Sequence, residues 1–189
     1  IFHNVSQDGL PKLLGYTDVV IDKSEALDAY MQEIYARTLA IRNGEVDRKK
    51  DNMLKISTDG RKAALSLALV DKEQTYDEQS KIYHCVKNVM EIYRQYDGCS
   101  QLVFCDYSTP KQSKYSVYKE LKEKLIEHGI PEKEIAFIHS YNTESRKVEL
   151  FRKFNNAEVR VLIGSTFKLG IGANVQVKLK AIHHLDVPW

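Results

Sequence analysis

The chain has 189 residues and is 43% hydrophobic, enough for one sizeable core and too little for two ordinary domains joined by a linker. Its 28 basic and 26 acidic residues leave a net charge of +2, which excludes a histone-like or ribosomal type of protein, so any nucleic-acid contact must come from local placement of charge. Cys85, Cys99 and Cys105 form no CxxC pair and suit a reducing cytosol. No apolar run approaches the roughly 18 residues needed to span a bilayer, and no secretory n-region or h-region opens the chain. The expectation is a soluble cytoplasmic chain with packed thiols and no membrane partner. Its first residue is Ile1 and it stops at "HHLDVPW", just after a strand-like run, so it reads as an excised piece of something longer.

From Ser24 to Asn43, Leu27, Met31, Ile34 and Ile41 follow helical spacing, with Asp22 or Ser24 as N-cap and Gly44 past the end. A charged loop around Arg48 to Asp51 follows. Thr58 or Asp59 then offers a cap for a shorter helix over the alanine- and leucine-rich run from Arg61 to Leu69. Ile82, Val86, Val89 and Tyr93 share one helical face in a segment that ends at Gly98. Beyond Gly98 the pattern changes. "QLVFC" (101–105), "IAFI" (135–138), "VRVLI" (159–163) and "AIHHL" (181–185) are short runs of strand formers. Helical patterns separate the first three: Lys114 to His128, with Tyr118, Leu121 and Leu125 inward, and Thr143 to Asn155, with Val148, Phe151 and Phe154 inward.

Strands alternating with helices at this spacing predict an α/β fold with a parallel sheet flanked by helices, preceded by a helical N-terminal extension. The division falls at 1–98 for the extension and 99–189 for the α/β core, within one compact domain overall. Chemistry is expected at the carboxyl ends of the strands. Those ends read "DYSTPK" (106–111), "HSYNTE" (139–144), "GSTFKLGIGANVQ" (164–176) and "DVPW" (186–189).

Several familiar site patterns fail. A dinucleotide fingerprint needs GxGxxG, and Gly170-Ile171-Gly172 supplies its first half, but Val175 stands where the third glycine should be. A Walker A loop needs a lysine after its second glycine. Gly164 and Gly170 have five residues between them, and Ile171 occupies the lysine position. His183 and His184 are adjacent on a predicted strand, so they point to opposite faces and cannot readily share a metal. No HExxH, GxSxG or DPPY-like methyltransferase motif occurs. No complete active site is found in the chain.

The order of the blocks "QLVFCDYSTP", "IAFIHSYNTESRKVELFRKF", "VRVLIGSTFKLGIGANVQ" and "AIHHLDVPW" resembles the second RecA-like lobe of superfamily 2 helicases and translocases. There they would be motif IV, the segment before motif V, motif V, and the strand leading to motif VI. Within that group the chain looks most like the Swi/Snf-like branch, and in particular like the helicase and adenine-methylase fusion proteins of phages and conjugative elements. "DNMLKI" and "DGRKAAL" add to this likeness, which covers roughly Asp51 to Trp189, with a looser likeness in the helix from Ser24.

The resemblance implies roles for particular residues. Ser165 and Thr166 fall on the motif V pair that binds a DNA phosphate through hydroxyl and backbone amide. Gly170 and Gly172 fall on its glycines, Asn174 on the polar residue that approaches the nucleotide between the lobes or positions the arginine motif, and Gln176 beside it. Glycine suits such a loop because it lets backbone amides approach phosphate and adopts positive φ cheaply. Lys168 and Lys111 are candidate phosphate contacts, although Lys168 stands where the branch usually has a small residue and Phe167 where it usually has arginine. A turn around Pro110 is an alternative account of Asp106 to Lys111. Arg61 and Lys62 either touch phosphate or form the solvated first turn of a capped helix. Arg146 and Lys147 suit a structural salt bridge, and Arg48, Lys49 and Lys50 a solvated loop.

By the same resemblance, ATP and Mg2+ serve the full-length parent and neither is expected to be bound by this lobe alone. The phosphate loop and magnesium motif belong to a first RecA-like lobe of the same polypeptide, and the arginine fingers to a motif VI beyond Trp189. Phosphoryl transfer depends on positioning and charge stabilisation, so a lobe lacking those parts should hydrolyse nothing. DNA is the expected partner, with a methylase domain as a further one in the parent. Two rivals stand beside this reading: a free-standing nucleotide-binding or methyltransferase-like α/β domain, and a degenerate lobe kept as a DNA-binding or protein-interaction platform in a methylase or restriction-type protein.

Overall fold

The computed structural model describes residues 15–74, 77–110, 115–169 and 174–186. Helix α1 spans Glu25–Arg42, begun by Ser24, whose hydroxyl accepts the Leu27 N–H at 3.2 Å. Just past its end Gly44 has φ of +76°, a conformation that favours glycine. Helix α2 spans Met53–Leu65, so it begins earlier than expected. Its cap is Asn52, which accepts the Lys55 N–H at 3.0 Å. Thr58 and Asp59 are therefore not caps but lie inside the helix. Thr58 Oγ1 donates to the Leu54 carbonyl, and Asp59 accepts from Arg37. The expected run to Leu69 is also corrected. The helix stops at Leu65, and Leu67–Leu69 forms a 3-10 turn.

The four apolar residues at helical spacing in α1 are unequally covered, Leu27 and Ile41 partly so. Ile34 is its buried residue, whereas Met31 is 40% exposed. A polar tie supplements this thin apolar contact. Arg37 Nε and Nη2 donate to the Asp51 carboxylate at 2.8 and 3.0 Å, and Nη2 also donates to Asp59 at 3.0 Å.

Helix α3 (Lys81–Gln95) buries Ile82, Val86 and Val89, with Tyr93 partly covered. Strands β1 (Ser100–Phe104), β2 (Ile135–Phe137), β3 (Val161–Gly164) and β4 (Leu179–His184) form a sheet of order β2-β3-β1-β4. Every pairing in it is parallel. The connections carry α4 (Val117–Glu127), α5 (Glu144–Asn155) and the short α6 (Thr166–Leu169). The expected architecture, a parallel sheet flanked by helices and preceded by N-terminal helices, is thus observed.

Alternation along the strands divides the core into two faces. Val103, Val161 and Ile163 pack with α3 and with Val117, Leu121 and Leu125 of α4. Leu102, Phe104 and Leu162 pack with Leu150 and Phe154 of α5. Val148, expected inward, is 66% exposed, and Leu150 takes its place, four residues from Phe154 on the same helical face.

Arg160, just before β3, is buried and closes the end of α3. Its guanidinium donates to the carbonyls of Tyr93, Tyr96 and Cys99 at 3.1, 2.7 and 3.0 Å and lies 3.7 Å from the centroid of the Tyr93 ring. All three cysteines are buried and free. Burial pushes the Cys85 thiol up to about 12 and raises Cys105 as well, so neither is an activated thiolate. Among the described residues no helix is long and apolar enough to cross a membrane.

Candidate functional site

The carboxyl ends of β1, β3 and β4 meet at one rim, and hydrogen bonds register them. The Cys105 N–H donates to Gly164 O at 2.9 Å, and the Leu185 N–H to Phe104 O at 3.0 Å. Just past β4, the nearly buried Asp186 carboxylate accepts the Asp106 N–H at 2.9 and 3.0 Å and the Tyr107 N–H at 2.8 Å. The Asp106 carboxylate in turn accepts the Thr166 N–H at 2.7 Å. These are charge-assisted bonds to backbone amides, the stronger kind.

Gly164 ends β3 where nothing larger fits. A Cβ there would lie 2.3 Å from Leu169 Cδ1 and 2.7 Å from Ile138 Cγ2. This close approach turns the chain directly into Ser165 and α6. Ser165 is buried. Its carbonyl accepts the Lys168 and Leu169 N–H groups at 3.1 and 3.0 Å, and its Oγ accepts the Lys168 N–H at 3.4 Å. Thr166 is partly exposed, Lys168 is exposed, and Phe167 is 79% exposed, while Leu169 anchors the turn in the core. Because Asp106 already holds the Thr166 amide and Ser165 is turned into its own helix, the groups that face outward here are the side chains of Thr166, Phe167 and Lys168.

His139, after β2, borders the same region. Its Nδ1 is buried and has no hydrogen-bond partner among the described residues, and its ring meets Tyr118 edge-on at 5.4 Å. Burial, and then the positive charge of Lys168, lower its pKa from the usual histidine value, which keeps the ring neutral.

Asn174 and Gln176 are exposed on either side of the buried Val175. Asn155, at the end of α5, fixes the backbone between them. Its Nδ2 donates to Asn174 O at 2.9 Å, and its Oδ1 accepts the Val177 N–H at 3.3 Å. The segment therefore presents two amide side chains outward from a held backbone. Gly170, Gly172 and Lys111, also expected at the site, lie outside the described residues.

The remaining candidates fall elsewhere. Arg61 is inside α2 rather than in its first turn, with its guanidinium carbon 5.0 Å from the centroid of Tyr107, the residue after Asp106. Lys147 pairs with Glu144 at 2.7 Å, and Arg146 is exposed. The histidines separate as expected. His183 Nε2 lies 2.9 Å from Gln101 Oε1, and His184 stacks on Phe104 with ring centroids 5.1 Å apart. Because the Gln101 amide nitrogen donates to Val89 O, its oxygen must accept, so His183 carries its proton on Nε2. Among the described residues no group of three or more His, Cys, Asp or Glu gathers as a metal site. A groove of about 580 Å³ is lined by the start of α1, the end of α2 and the start of α3, and none of the rim residues line it.

Sequence reasoning placed Ser165, Thr166 and Lys168 on this rim, with Asp106 and Asp186 opening two of its strand-end segments, but it missed the role of Asp186, the residue Asn155 and the tie from Asp106 to Thr166. The available signal was the pair of aspartates, each directly following an apolar strand run. No protein-family model, curated protein or solved structure was found to match the chain.

Proposed function

We propose that this chain is the second motor lobe of an ATP-dependent DNA helicase or translocase, contributing its motif IV and motif V segments to DNA-backbone binding and nucleotide coupling, and working in the cytoplasm. The observation that carries the reading is the rim. A strand-end glycine turns the chain into a short helix that leaves Thr166 partly exposed and Lys168, two residues on, exposed, and the same connection then presents Asn174 and Gln176. A hydroxyl and a lysine meet a phosphate without reading a base, as a protein moving along any sequence requires. The Lys168 charge adds salt-sensitive affinity, and Ser165 holds the helix that carries it.

ATP with Mg2+ would lie between this lobe and a first RecA-like lobe of the same polypeptide, and its hydrolysis supplies the free energy of stepping. The exposed amides of Asn174 and Gln176 suit hydrogen bonds to such a nucleotide, and Asn155 keeps their backbone from yielding. Closure of the lobes would bring these side chains to their partner, and reopening would release them. A methylase domain in the same polypeptide is a further partner of this proposal.

One observation favours the second reading, a lobe retained as a DNA-binding or protein-interaction platform: the Thr166 amide, which would otherwise meet phosphate, is engaged by Asp106. DNA-stimulated ATP hydrolysis by the intact two-lobed polypeptide, beside the same protein carrying Gly172→Val and Asn174→Ala, separates the two. Stimulation that disappears in the variant is the result expected of a motor. Absence of stimulation in both proteins sinks the motor reading.

A further inference from the structure

We infer that Asp106 is a positioning residue that transmits the placement of the β4 end to the outward-facing Thr166 and Lys168 pair. The sheet order makes this possible, because β1 lies between β3 and β4, which do not pair with each other. The end of β1 pairs with both. The nearly buried Asp186 carboxylate grips two consecutive amides, those of Asp106 and Tyr107. With its backbone fixed in this way, Asp106 directs its own carboxylate to the Thr166 N–H at 2.7 Å. A displacement of the chain leaving β4 moves Asp186, hence the Asp106 backbone, hence the first amide of α6.

Three further contacts restrict other responses. Leu169 is packed against Gly164, which holds the far end of α6 still. The Cys105 N–H bond to Gly164 O keeps the β1 and β3 ends in register. On the other side, Ser108 Oγ accepts the Val117 N–H at 3.0 Å, which ties the turn after Asp106 to α4. The free variable is the orientation of Thr166, and Asp106 sets it. The functional part of this inference rests on the motor reading above, while the structural part does not.

The test has two arms. In the full chain, amide exchange at Thr166 is followed by NMR for the unmodified protein and for Asp106→Ala, Asp106→Asn and Asp186→Asn. The expected result is a protected Thr166 amide whose exchange quickens about tenfold in Asp106→Ala. Asp106→Asn, which keeps an acceptor oxygen, stays closer to the unmodified rate, and Asp186→Asn quickens Thr166 although it touches no atom of that residue. Unchanged Thr166 exchange in Asp106→Ala overturns the contact. Faster exchange at Asp106 and Tyr107 alone in Asp186→Asn overturns the transmission.

In the intact polypeptide, the DNA concentration giving half-maximal ATP hydrolysis should rise about tenfold in Asp106→Ala, more than kcat falls, with partial rescue by Asp106→Asn. A fall in kcat with no shift in that concentration overturns the positioning role. If the unmodified polypeptide shows no DNA stimulation, the motor reading fails, and the exchange data still decide the relay. Should Asp106→Ala not fold, Asp106→Asn and Asp186→Asn decide it through the same Thr166 exchange.

Discussion

Helix α1 and the sheet are held by different forces within one chain. Helix α1 buries Ile34 and is tied to α2 by the Arg37 fork to Asp51 and Asp59, with side chains still partly in contact with solvent. Strands β1 and β3 bury apolar side chains on both faces while the edge strand β4 is half open, and the buried Gln101 of β1 is paired with His183 and Val89. Apolar burial scales with area and is not subject to charge screening, whereas partly exposed ion pairs contribute little and are screened by salt. The lesson is one of division of labour. The rim is mounted on the apolar core, and α1 is the element expected to yield first.

The largest expected effect breaks the sheet's side of the comparison. Phe154→Ala or Leu121→Ala should cost about 3–5 kcal/mol, by lost transfer energy and by the cavity left behind, and should lower the urea midpoint of the whole molecule. Ile34→Ala should cost less and loosen α1 alone.

Acid offers the next largest. Burial, and then the charge of His184, lower His183 from 6.5 to about 4. The unfolded chain then takes up a proton at a pH where the folded one does not. The neutral ring's contribution is therefore complete above about pH 6.5 and is lost progressively as the pH falls towards 4, by up to roughly 3 kcal/mol. Urea titrations at pH 7 and pH 5 check this, and His183→Gln should flatten the difference between them.

Gly164→Val should cost about 1–3 kcal/mol, because its first carbon would overlap Leu169 and Ile138. The same variant should disturb Thr166 and Lys168, which thermal melts alone would not reveal and amide chemical shifts would. Weakest of all is Arg37→Ala, expected to quicken amide exchange a few-fold in α1 and to leave the sheet untouched. The hydrogen bond from Arg37 holds the Asp51 carboxyl below its ordinary value. The tie is therefore intact above the usual carboxylate range and is lost as the pH falls through the lowered value, and acid should mimic the substitution.

The difference between the regions also explains what was legible in the sequence. The strands could be read because each is a short run of strand formers bounded by turn residues, and the parallel sheet followed from helices lying between them. Periodicity identified α5, but four apolar side chains, Val148, Leu150, Phe151 and Phe154, compete for its inner face. Packing chose Leu150 with Phe154 over Val148. In α2, Asn52 outcompeted Thr58 and Asp59 as the cap, because the extension draws Asp59 into the Arg37 fork and leaves it helical. At the rim, the positions of Ser165, Thr166 and Lys168 followed from a strand ending at a glycine. The tie from Asp186 through Asp106 to Thr166 did not, because it depends on β1 lying between β3 and β4, and strand order is not written in the alternation of elements.

The proposed function has the rim meet a nucleic-acid backbone through Lys168 and Thr166. The most direct test is the salt dependence of DNA binding by the intact polypeptide, measured by fluorescence anisotropy for the unmodified protein and for Lys168→Gln. The account predicts weaker binding across unrelated DNA sequences and a log–log salt slope shallower by about 1 in the variant, as expected for the loss of one phosphate contact. An identical slope and affinity in both proteins would contradict it.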